Sequence, residues 1–146
     1  AALDLQNLIH LGASHIFAYC CNSGVDIGPA FAGNGGVYFG FCDPIDAPPP
    51  NPVCYPAASR LFNFIRQNFQ QVNGRIAAEA FIRNLLQEIL ICERHYDDLN
   101  LFDELAYYFL RTLKTKISIY LPNEPNSPVI SPENVPRSIF AGNRIV

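Results

Sequence analysis

The chain has 146 residues, 49 % of them hydrophobic and 16 % charged, with 10 basic and 13 acidic side chains. That length suits one domain, 1–146, around one core, and the charged share lies below the roughly 25 % of ordinary soluble domains, so more of the surface is neutral or covered. A net charge of −3, with no Lys, Arg or Glu before Arg60, argues against nucleic acid as a partner, since phosphates call for a basic face.

Four of the five cysteines, seven of the nine glycines and seven of the twelve prolines also precede Arg60, so the two parts of the chain obey different physics. The chain begins at Ala1 and has no methionine, which suits a mature form after signal-peptide removal, or loss of the initiator. Residues 5–25, between Asp4 and Asp26, carry no charge over about the length a bilayer needs, but Gln6, Asn7, His10, Ser14, His15, Asn22 and Ser23 interrupt the stretch, so no membrane span is expected.

Leu5, Leu8, Ile9, Gly12, Ile16 and Tyr19 recur at three- and four-residue steps, which predicts a first helix within 1–23, N-capped by Asp4 and ended by Asn22-Ser23-Gly24. Residues 24–56 read as a Gly- and Pro-rich loop region, with a short strand at Val37–Phe41. Its end, Asp43 to Pro56, holds six prolines and reads as an extended connector.

Cys20, Cys21, Cys42 and Cys54 are disulfide candidates. A bond between adjacent cysteines closes a strained ring, which leaves Cys20–Cys42 with Cys21–Cys54, or Cys20–Cys54 with Cys21–Cys42. Either pairing would staple the loop region to the first helix, and would fit an oxidising compartment. The alternative is buried thiols in a reducing one. Cys92 falls in an apolar helical pattern and reads as core packing.

Pro56 opens a second helix with Ala58, Leu61, Phe62, Ile65, Phe69 and Val72 on one face. Asn73-Gly74 breaks it. A third follows with Ala78, Phe81, Ile82, Leu85, Leu86, Ile89 and Leu90 inward, and Glu79 and Arg83 spaced for an i, i+4 pair outside. A fourth runs to about Lys114, its early acids and late bases matching the helix dipole. Together the helical core spans 57–114. Ile117, Ile119 and Leu121 alternate with Ser118 and Tyr120 as a short strand, and 122–146, with five prolines, reads as an extended apolar arm. The fold class expected is mainly α: a small four-helix bundle with a Gly/Cys-rich N-terminal loop region and a Pro-rich C-terminal arm.

Motifs for chemistry are sparse. His10 and His15 are five apart, outside the i, i+3 or i, i+4 spacing of helical metal ligands, and no cysteine pair has zinc spacing, so neither metal nor cofactor is expected. Gly33-Asn34-Gly35-Gly36 lacks the Lys-Ser/Thr of a phosphate loop, no Gly-x-Ser-x-Gly occurs, and Asp97 to Glu104 reads as helix capping. Cys20 or Cys21 with His15 is the thiol–imidazole candidate, with no basic residue near in sequence to activate it.

The leading expectation is therefore a non-enzymatic structural protein that self-assembles or packs into a larger complex, as a virion or capsid subunit or a secreted matrix protein. Its interface candidates are Phe31, Tyr38, Phe39 and Phe41 in the uncharged region and Val129, Ile130, Ile139 and Phe140 in the arm, because obligate interfaces are depleted of charge. The expected location is extracellular or in a virion, with the cytoplasm as alternative. A secreted helical carrier of an apolar ligand, using Phe62, Phe69, Phe81 and Phe102, is the second reading. A small His/Cys enzyme is the third.

Overall fold

A computed structural model describes residues 5–10, 12–45, 52, 55–98 and 104–133. It is a mixed α/β fold rather than a bundle. Four strands, β1 (His15–Phe17), β2 (Val37–Phe41), β3 (Ile117–Leu121) and β4 (Glu124–Ile130), form one sheet in the order β1-β2-β3-β4. β1 runs parallel to β2, while β3 is antiparallel to both β2 and β4. The α-helices are α1 (Leu5–His10), α2 (Ser23–Gly33), α3 (Tyr55–Asn68), α4 (Arg75–Asp98) and α5 (Glu104–Thr115).

The mainly α expectation fails in the N-terminal third. The helix expected within 1–23 stops at His10, and Gly12, at φ 63°, turns the chain into β1. His-Ile-Phe then alternates between faces: His15 and Phe17 meet Phe69 and Phe39, while Ile16 packs with Phe31 and Tyr38. The expected loop holds α2, although its eleven residues include three glycines and Pro29. Low propensity loses here to close packing. A Cβ on Gly28 would sit 2.5 Å from the Tyr120 ring, so only glycine lets this helix lie flat on the sheet.

β2 is the hub. All five of its residues are buried, as befits a strand covered on both faces. Val37, Phe39 and Phe41 join Ile117, Ile119, Leu121 and Val129 in a core shared with α3, α4 and α5. Tyr38 and Tyr120 face the other way, into a smaller cluster with Leu8, Phe31 and Ala32. The helical periodicity holds in α3 and α4, which bury Leu61 and Ile65, and Ala78, Phe81, Ile82, Leu85 and Ile89. A 3₁₀ turn at Phe69–Gln71 ends α3. The Glu79–Arg83 pair does not form; α4 is tied instead to α3 by Arg60–Glu88 at 2.6 Å and to α5 by Lys114–Glu93 at 3.4 Å. Part of the expected arm is β4, an edge strand containing Pro125 and Pro128. No helix among the described residues is long and apolar enough to cross a membrane.

Candidate functional site

The carboxyl ends of a parallel strand pair are where open α/β sheets gather their functional groups, and here β1 and β2 end in cysteine-bearing turns. The chain leaves β1 through Cys20 and Cys21, passes Asn22 and enters α2. Asn22 is the one non-glycine residue of positive φ among those described, at φ 57° and ψ 12°. That left-handed residue folds the turn sharply: Ser23 N–H donates to Cys20 O at 3.4 Å and Val25 N–H to Asn22 O at 3.1 Å. Both thiols are exposed.

Cys21 is held by the turn that leaves β2. Ile45 N–H donates to its Sγ at 3.3 Å, and the Sγ lies 3.7 Å from Ile45 O. On the opposite side of the same peptide, Lys116 Nζ donates to Pro44 O at 2.7 Å. Beneath the turn the Tyr38 hydroxyl is buried without a hydrogen-bond partner. Burial raises its pKa above the ordinary tyrosine range, Ser23 opposes the rise, and Cys20 adds to it.

No disulfide forms among the described cysteines: Cys20, Cys21, Cys42 and Cys92 are free. Both pairings left open by the sequence require Cys42 bonded to Cys20 or Cys21, so both fail, whatever Cys54 does outside the described residues. Cys42 turns inward, its Sγ 3.2 Å from Ser118 Oγ and 3.3 Å from Tyr120 OH. Burial raises the Tyr120 pKa, and the Cys42 hydrogen bond adds to it. Cys92 is 3 % exposed on α4, and burial pushes its thiol up to about 11, as expected of a core thiol.

His15 does not join the thiols. It starts β1, at the far end from them, where its Nε2–H donates to Val72 O at 2.6 Å and its ring meets Phe69 edge-on. Of the interface candidates, Phe31, Tyr38, Phe39, Phe41 and Val129 lie inside the subunit's own cores, Ile130 is 44 % exposed, and Ile139 and Phe140 lie outside the described residues. The carrier's aromatics pack on one another, Phe69 with Phe81 at 5.6 Å between centroids; Phe102 lies outside the described residues. Sequence reasoning singled out Cys20 and Cys21 but missed Lys116. It lies beyond the helical core in the chain, and only the β2–β3 pairing carries it to the crest.

Comparison with protein-family models, with curated proteins and with solved structures finds no match to this chain.

Proposed function

We propose that the protein is a thiol-dependent enzyme, with Cys21 as nucleophile towards a carbonyl-type electrophile in a hydrolase or acyl transferase. The observation that carries this reading is the amide of Ile45 aimed at Cys21 Sγ in an exposed turn at the head of α2. The N-terminus of α2, which begins at Ser23 just past Cys21 and Asn22, supplies positive potential near the sulfur. His15 is engaged elsewhere and is not the proton acceptor. Incubation of the full chain with an acyl chloromethyl ketone tests the reading. A single adduct on Cys21, lost in Cys21→Ala and kept in Cys20→Ala, is the expected result. Equal labelling of Cys20 and Cys21, at the rate of free cysteine, overturns it.

Assembly is the second reading, favoured by the 59-residue segment free of basic residues and by Val25 and Tyr55, each 52 % exposed. In this reading the chain packs into a larger structure, in a virion or an extracellular matrix. The free thiols withdraw the disulfide argument for an oxidising compartment, leaving the low charge as its support. Light scattering from micromolar to millimolar protein decides: mass growing with concentration supports assembly, and a constant monomer mass ends it.

A further inference from the structure

Along the outer side of α4, Ile76 is 85 % exposed, Glu79 and Arg83 are exposed, and Leu86 is half-buried. Steps of three, four and three residues place these four side chains on one narrow seam. We propose that this seam is the interface of a closed two-fold dimer, in which α4 packs antiparallel on α4 of a second copy. This goes beyond both functional readings, since it involves neither the thiols nor the exposed Val25 and Tyr55, and it stops at two copies.

Charge complementarity selects the occupant. Glu79 and Arg83 stand one turn apart in the order that favours an i, i+4 pair, yet neither has an ion-pair partner among the described residues. Arg75, the other cation on this side, is already neutralised: its Nε donates to Glu124 Oε2 at 3.0 Å and its Nη2 to Ser127 O at 2.8 Å. A two-fold axis level with Phe81 sets Glu79 opposite Arg83 of the partner subunit, Arg83 opposite Glu79 of the partner subunit, and Ile76 opposite Leu86 of the partner subunit. One contact thus closes two ion pairs and takes Ile76 out of water at each end. A partner of a single charge sign would leave either Glu79 or Arg83 facing its like.

Beside the seam, Ile130 and Pro132 are exposed on the β4 wall of the groove that Glu79, Arg83 and Leu86 also line, and they add apolar surface for the partner's helix to cover. A seam of one helix a side is short, so the dimer is reversible and its mass depends on concentration.

Sedimentation of the full chain from micromolar to millimolar concentration reads the dimer. The wild type should reach twice its monomer mass and stop there. Glu79→Arg and Arg83→Glu each oppose like charges twice, and each should weaken self-association by about tenfold or more. Helix content should not change, because both positions are exposed. Mixing the two variants in equal amounts restores attraction at both contacts and should return the dimer, as should the double exchange within one chain. Ile76→Asp should also weaken it, whereas Ile91→Asp, 44 % exposed on another face of α4, should not. A wild-type mass that stays at one copy up to millimolar, or a mixture no more associated than its components, overturns the proposal. So does growth past two copies that the charge reversals leave unchanged, which is the behaviour the assembly reading expects.

Discussion

On one face of the sheet Phe39 meets Phe69 and Phe81, with ring centroids 5.7 and 5.9 Å apart, beneath helices whose large side chains fill the space. On the other, Tyr120 lies against the bare Cα of Gly28 in α2, and a Cβ there would stand 2.5 Å from its ring. The first face is stabilised by what its side chains add. The second depends on what α2 leaves out. Deletions should therefore hurt the helical face most, and additions the α2 face.

The largest expected effect is on the helical face. Leu85, 0 % exposed on α4, becomes a cavity in Leu85→Ala, and unfolding in urea should show a loss of about 2–5 kcal/mol. The alkaline limb of stability comes next. Cys92 ionises at about 11 in the folded protein against an ordinary 9.0, so the folded state favours the neutral thiol. Its contribution is complete below pH 9 and falls as pH rises to 11, by about 1–3 kcal/mol. Denaturation midpoints across that window should decline, and Cys92→Ala should remove the part between pH 9 and 10. Above pH 10 the slope is shared with Tyr38 and Tyr120 on the α2 face, whose pKa values burial raises, and with Lys114, where desolvation is outweighed by Glu93 and Glu133 and the pKa rises.

Gly28→Ala sharpens the contrast. Helix propensity alone would favour alanine by about 0.5–1 kcal/mol. The contact with Tyr120, itself 5 % exposed, should outweigh that and leave a net loss of about 1–3 kcal/mol. A gain in thermal midpoint would break the distinction between the faces. At the small end, Arg60→Ala removes a surface pair with Glu88 whose arginine side chain is 50 % exposed, and should cost less than about 1 kcal/mol, shrinking with salt.

The same contrast explains what the sequence allowed to be read. α4 is legible because Ala78, Phe81, Ile82, Leu85 and Ile89 mark one face at helical spacing. α2 is not, because its buried surface includes Gly24 and Gly28, which carry no hydrophobic period. β1 hides in a run whose three- and four-residue steps imitate a helix, until Gly12 reverses it. β3 shows its alternation, but two prolines mask its partner β4. At the site, Cys20 and Cys21 stand out in the sequence as disulfide candidates, not as the free, exposed thiols they are. The inward turn of Cys42 and the approach of Lys116 were not legible, since both follow from pairing distant strands.

That pairing also sets an order of events. Cys42 and Ser118 touch across 76 residues of chain, so the sheet cannot close until β3 has been made. At the ribosome's pace of about 5–20 residues per second, β2 waits roughly 4–15 s for its neighbour. Early in that interval, before α3 and α4 have been made, Phe39 and Phe41 have no helical layer to cover them, and almost no charge nearby to keep nascent chains apart. Birth, more than maturity, is when this protein's aromatic strand lies most open to its neighbours.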